Sequence, residues 1–233
     1  NELENTEINE SEINNFLDAL ELNTLKKRLS DAVGFEVNEK EAKKTVKDST
    51  LDLEYETCAD ETAALKEIEI LAKGGTISVA ESSDQEGNLT GLAVADSEKC
   101  YWLNADVIQR PKVVAGLNKL FSSKGPGIAV HDGKKSYRHL SRRGIFLQNI
   151  NLDVTLAQYL LEVSDSSEPL SEILAKHTDL YFPSEIEKEG QLNFDSENDQ
   201  LHESIVNAKA IAKLHEPLNE ALKANGLDQL NRD

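Results

Sequence analysis

Methionine is absent from this 233-residue chain, cysteine occurs only twice, and Lys plus Arg number 25 against 43 Asp plus Glu. With no methionine even at position 1, the chain is expected to be a processed product or an excised fragment, not a complete primary translation product. Cys58 and Cys100 stand on dissimilar segments without ligand-like or redox spacing, so both read as reduced, packed thiols. His131, His139, His177, His202 and His215 show no H-x-x-x-H or similar pattern, and each reads as a surface or packing residue. No apolar run approaches the roughly 20 residues of a spanning helix, and the N-terminus is acidic instead of basic and then apolar. A soluble, cytoplasmic chain with no membrane partner is expected. The formal charge of -18 repels phosphate on average, so any contact with nucleic acid has to come from a local basic patch.

What is present reads as one good-sized domain with an appendage. Residues 1–11 are polar and aperiodic, a frayed terminus. From Ser11, apolar residues at Ile13, Phe16, Leu17, Leu20, Leu25 and Leu29 suit an amphipathic helix or a broken helix pair ending before Gly34. Phe35 to Ser49 is rich in Glu and Lys and reads as a linker, so residues 1–50 form an N-terminal helix and charged linker and 51–233 the main domain. Strand signals stand at Leu51–Tyr55, Thr76–Ala80, Leu89–Ala95 and Tyr101–Leu103, with a helix over Glu61–Lys73 and turn chemistry at Asp84–Asn88. After Pro111, apolar residues at helical spacing run to the break at Gly125-Pro126-Gly127, which is a turn and not a phosphate loop. Ile128–Val130 reads as a short buried strand and Lys134–Arg143 as a helix stopped by Gly144. The C-terminal half from Leu152 is mostly helical, except for a loop over Asp179–Asn198. An antiparallel meander joined by strand-helix-strand succession implies an α/β fold, a mixed sheet flanked by helices.

Three stretches carry more than fold: Thr76-Ile-Ser-Val-Ala80-Glu-Ser82; Val130-His-Asp-Gly-Lys-Lys-Ser136 with Asp153-Val-Thr-Leu-Ala-Gln-Tyr-Leu-Leu161; and Asn207-Ala-Lys-Ala-Ile-Ala-Lys-Leu-His215. With the flanks Phe16–Leu29, Leu214–Leu218 and Gly226–Leu230, these resemble the 3′-5′ exonuclease domain of bacterial family-A DNA polymerase, the DNA polymerase I type. The resemblance implies a ribonuclease H-like (DnaQ-like) exonuclease fold, with the polymerase domain of the same parent chain as partner, and a role in DNA replication and repair. It also implies metal-binding acids, which would fall at Ala80 and Ser82 (the Asp-x-Glu pair), Ser136, and Asn207, with Glu203 at the tyrosine position. Alanine cannot ligate, and serine and asparagine offer only dipoles to Mg²⁺ or Mn²⁺, so no metal, no cofactor and no exonuclease activity are expected. A shift of one residue in register would bring Glu81 to the first ligand position, but on a strand it also turns the side chain to the opposite face.

Asp132 and Asp153 each precede a helix and read first as caps. The one basic concentration is Lys134, Lys135, Arg138, His139, Arg142 and Arg143, where a helix would align Lys135, Arg138 or His139, and Arg142 opposite Tyr137, Leu140 and Ser141. A solvated helix face and weak DNA contact through Lys134, Lys135, Arg138, Arg142 and Arg143 stand as equal readings. The expected function is thus a structural or DNA-guiding domain beside a polymerase domain, monomeric when isolated. Two rivals remain: a nuclease with relocated acids such as Glu81, Asp84, Asp132 and Glu203, and an acidic adaptor whose partner is a protein.

Overall fold

A computed structural model describes residues 50–84, 86–162, 168–183, 197–227 and 230, all within one unit, Ser49–Asp233. The expected N-terminal helix and most of the charged linker lie outside the described residues, as does the larger part of the Asp179–Asn198 loop. The elements in chain order are β1 (Glu56–Cys58), α1 (Glu61–Leu71), β2 (Ile77–Ser83), β3 (Leu89–Ala95), β4 (Cys100–Asn104), α2 (Ala105–Ile108), α3 (Pro111–Leu120) and β5 (Ile128–Val130). Next come α4 (Gly133–Ser141), β6 (Ile150–Asp153), α5 (Val154–Leu161), α6 (Leu170–His177) and α7 (Glu197–Ala224). Among the described residues no helix is long and apolar enough to cross a membrane.

The six strands form one mixed sheet in the order β1-β4-β3-β2-β5-β6. β2, β3 and β4 are the antiparallel meander, while β5 pairs parallel with both β2 and β6, and β1 pairs parallel with β4. Local chemistry starts the helices as the sequence suggests. Asp60, Asp132 and Asp153 accept from backbone amides at the starts of α1, α4 and α5, and Pro111 opens α3, where its missing N–H costs nothing.

Alternation along the strands builds two cores. Ile77, Val79, Leu92, Val94, Tyr101, Leu103, Ile128 and Val130 face α1, α3 and α4. Ala80, Ala93, Ala95, Cys100, Trp102 and Ala129 face α5, α6 and α7. The second face is built largely of small residues, which is what lets α7 lie close to the sheet: Ser78 Oγ on β2 donates to the Ala208 carbonyl of α7 at 2.7 Å. That carbonyl belongs to a helix ladder and accepts a second hydrogen bond only because the strand approaches so nearly.

Several boundaries differ from expectation: β4 is longer by one residue at each end, α1 ends at Leu71, α4 runs Gly133–Ser141, and α7 begins at Glu197, inside the expected loop. The strand expected at 51–55 forms at 56–58, because its partner β4 sets the position (Thr57 opposite Trp102), while the earlier segment is held by Leu51 N donating to Tyr181 O at 2.9 Å. β2 runs on to Ser83, since β3 continues to pair with it through Leu89. β6 and α2 are additions to the elements the sequence pattern suggests. β6 is four residues long and depends on β5 for its hydrogen bonds, and α2 is a single turn capped by Asn104 Oδ1 accepting from Val107 N at 3.0 Å.

Packing around the sheet has two measurable consequences. A Cβ on Gly91 would stand 1.9 Å from the Trp102 ring, whereas one on Gly75 would meet nothing within 4 Å. Gly91→Ala should therefore lower stability by about 1–3 kcal/mol, several degrees in Tm, and shift Trp102 emission, with Gly75→Ala near neutral in the same melts. Equal Tm values would contradict this placement of the indole. Burial pushes the Cys58 thiol up to about 11 and the Cys100 thiol up to about 12. At pH 8 the native protein should resist iodoacetamide and take up two labels only when unfolded, as mass spectrometry would count.

Candidate functional site

β2 lies at the centre of the sheet with an antiparallel neighbour on one side and a parallel one on the other, and α7 crosses it on the small-residue face. The helix runs opposite to the strand: Ala208 meets Ser78, and Gln200, two turns earlier, meets Ser82. Ala80 lies between on β2, and Ser204, only 3% exposed, lies between on the helix. Asn207 adjoins Ala208 and is half-buried, while Glu203 is exposed.

At the end of β2 the side chains satisfy one another. Ser82 Oγ and Thr90 Oγ1 share a hydrogen bond of 2.7 Å, Thr90 Oγ1 donates to Gln200 Oε1 at 3.1 Å, and Ser82 Oγ approaches the same oxygen at 3.4 Å. A bulge makes this possible. Gly91 pairs with Ser82 and Leu89 with Ser83, so Thr90 is the extra residue, and it turns to the α7 side that simple alternation would deny it. A hard divalent cation is held by several anionic oxygens. Ala80, Ser82, Thr90 and Gln200 are all neutral, and the residues present at this seam do not fit such an ion.

Glu81 points the other way, toward α4. Its side chain is 6% exposed; Ser136 Oγ donates to Oε2 at 2.7 Å, and His139 Nδ1 stands 3.3 Å from Oε1, close enough for an ion pair when protonated but not aligned as a hydrogen bond. The four positions where the resemblance puts metal ligands are therefore not gathered into one described cluster. Ala80, Ser82 and the helix carrying Asn207 share one face of the sheet, and Ser136 is engaged by Glu81 on the other.

The remaining acids are occupied locally. Asp84 accepts from the amides of Glu86 and Asn88 and from the Asn88 side chain, which holds its carboxyl below the usual range. Asp132 Oδ1 caps α4 through Lys135 N at 3.0 Å. Asp153 accepts from Thr155 N, Leu156 N and Gly133 N, although burial outweighs these and raises its pKa. Among the described residues no group of three or more His, Cys, Asp or Glu is arranged to hold a metal. The histidines stay apart: burial lowers the pKa of His131, His177 and His215, His177 Nε2 lies 2.9 Å from Gln158 Oε1, and His202 is exposed.

The basic helix forms, with a different face inward. Gly133, Ser136 and Leu140 are the buried side of α4, and Tyr137, expected on that side, is 46% exposed. His139 leaves the basic group because it turns in to Glu81. Lys134, Lys135, Arg138, Arg142 and Arg143 remain exposed, and none pairs with an acid among the described residues. Sequence reasoning missed the Glu81–Ser136–His139 contact and the Ser82–Thr90–Gln200 cluster. The i, i+3 spacing of Ser136 and His139 was the only signal for the first, and a bulge leaves none for the second.

Residues 76–187 match the family model of the DNA polymerase I, ribonuclease H-like domain. No curated protein matches the sequence. Among solved structures, the POL domain of Pol1 from M. smegmatis, in complex with DNA primer-template and dNTP, is 18% identical with a TM-score of 0.61, covering 76% of this chain and 29% of that one. The Aedes aegypti Nibbler EXO domain is 12% identical with a TM-score of 0.60, over 77% of this chain and 95% of its own. Escherichia coli RNase D, an exoribonuclease involved in structured RNA processing, is 11% identical with a TM-score of 0.61, over 77% of this chain and 51% of that one. The chain thus spans under a third of the polymerase and about half of the ribonuclease. The mixed six-stranded sheet with its flanking helices is a ribonuclease H-like fold, and over residues 76–187 the chain is similar to the ribonuclease H-like domain of DNA polymerase I.

Proposed function

We propose that this region is a catalytically inactive 3′-5′ exonuclease-like domain of a longer, cytoplasmic DNA polymerase I-type chain. It packs as a monomeric shoulder beside the polymerase domain and guides DNA during replication and repair, with Lys134, Lys135, Arg138, Arg142 and Arg143 as its nucleic-acid contacts. The observation that carries the loss of chemistry is the neutral seam between β2 and α7. Where the family's acids would stand, Ala80 is apolar, and Ser82 is tied to Thr90 and Gln200. Residues 1–50 are a separate N-terminal helix and linker in this proposal, and 51–233 the domain.

The direct test is incubation of a 5′-labelled single-stranded oligonucleotide with the purified chain and Mg²⁺ or Mn²⁺. No metal-dependent shortening is expected, and calorimetry should show no specific Mn²⁺ uptake. Digestion from the 3′ end above a mock-purified control would overturn the proposal.

A second prediction concerns Ser136. Its Oγ lies 2.7 Å from Glu81 Oε2, so Ser136→Asp would set two carboxylates against each other in a nearly dry contact. One of the pair then has a raised folded pKa, and its stabilising share is present at low pH and lost as pH rises. Ser136→Asp should melt several degrees lower at pH 8, a loss of about 2 kcal/mol, and recover toward the parent near pH 5. A variant that instead gains Mn²⁺ affinity with an unchanged Tm at pH 8 would mean that position 136 still belongs to a working metal cleft.

A further inference from the structure

We propose that the outward face of α4, together with Phe146, is a stacking platform for single-stranded nucleic acid: bases lie on the Tyr137–Phe146 pair, and phosphates are held by Lys134, Arg138 and Arg142. This rests on the basic face of α4 being the domain's nucleic-acid contact, and it adds which form of nucleic acid is bound and how.

The one ring-ring contact among the described residues joins two exposed side chains. Tyr137 and Phe146 are 46% and 41% exposed, with centroids 6.5 Å apart and planes tilted by 49°. Single exposed apolar residues are ordinary on a protein surface. Two exposed rings packed on each other beside unpaired cations are not accounted for by the fold, because neither ring contributes to either core.

Both rings are held in place. α4 buries Gly133, Ser136 and Leu140, which leaves Tyr137 exposed beside Lys134, three residues before it, with Arg138 exposed at the next position round the helix. After α4 the chain turns at Gly144, whose φ of +73° suits glycine, and Asn118 of α3 clamps both sides of Ile145. Asn118 Nδ2 donates to Gly144 O at 2.7 Å, and its Oδ1 accepts from Phe146 N at 2.8 Å. Ile145 at 0% exposure and Leu147 at 5% anchor the segment on each side, so Phe146 has to point outward. Arg142 reaches the β2–β3 turn, where its Nη1 would stand 3.3 Å from a Cβ on Gly87.

The chemistry selects the ligand. In a chain with a net charge of -18, a face bearing five exposed cations complements a polyanion. Aromatic side chains interleaved with Lys and Arg grip unpaired bases, which expose their π-faces, whereas a duplex hides them in its stack. A preset pair of rings loses little side-chain freedom on binding. The platform lies on the α4 side of the sheet, opposite the seam of Ala80 and Ser82, and so does not depend on that seam.

The test is fluorescence anisotropy of the full chain with a labelled oligo(dT) of about twelve nucleotides, compared with a duplex of equal length at low salt. Binding of the single strand should weaken roughly ten-fold in Tyr137→Ala and in Phe146→Ala, with duplex binding nearly unchanged and Tyr137→Phe close to the parent. Both variants alter exposed side chains, and circular dichroism would verify their fold. The double reversal Arg138→Glu with Arg142→Glu should abolish binding of either form, while reversal at Lys73 and Lys119 should change it little. Loss on charge reversal at α4 but none on ring removal, or equal losses for single strand and duplex, overturns stacking and leaves α4 as a purely electrostatic contact. Equal losses from both reversal pairs, or no binding at low salt, overturns the platform and the nucleic-acid contact together.

Discussion

The close seating of α7 on the centre of the sheet is the constraint on which the rest of the structure depends. It requires one face of the middle strands to be small, and Ser78, Ala80, Ala93, Ala95 and Ala129 meet that requirement. With the Ser78 hydroxyl on a helix carbonyl at one end and the Ser82–Thr90–Gln200 cluster at the other, these four side chains along the seam have neutral partners. Buried polar groups are tolerated when they are satisfied, and a buried carboxylate here would instead call for a counter-charge. The seam is thus suited to packing, and the same side chains leave nothing anionic for a cation.

The opposite face of the same strand carries the one buried acid of this region. Glu81 is held by Ser136 and approached by His139, so α4 is tied to β2 by a polar contact within an otherwise apolar core that includes Val79, Val130 and Leu140. This contact also orients α4. With Ser136, His139 and Leu140 turned inward, the five cations and Tyr137 have no position left but the outside. The exposed basic and aromatic surface is in that sense a consequence of where Glu81 points.

Much of this was legible in the chain. The extents of β3 and β5 match the apolar runs, the capping roles of Asp132 and Asp153 follow from their place before helical periodicity, and the mixed sheet follows from a meander succeeded by strand-helix-strand. The face of α4 is where the pattern misleads. Hydrophobicity puts Tyr137 inward and His139 outward, yet a buried acid opposite His139 and a ring partner for Tyr137 reverse that assignment.

By itself the sequence determined the class of fold, the neutral side chains at positions 80, 82, 136 and 207, and the concentration of positive charge after Gly133, because these depend on residue identity and local periodicity. Only the tertiary structure decided that Ser136 meets Glu81 and not Ser82, that Thr90 turns to the side of Gln200, and that Phe146 stands against Tyr137. Each of those depends on a contact between residues distant in the chain, on which side of a sheet a helix lies, or on a one-residue bulge that reverses alternation. Beyond the i, i+3 spacing of Ser136 and His139, local pattern carries no trace of them, since the energy that selects them arises only when the separate elements pack.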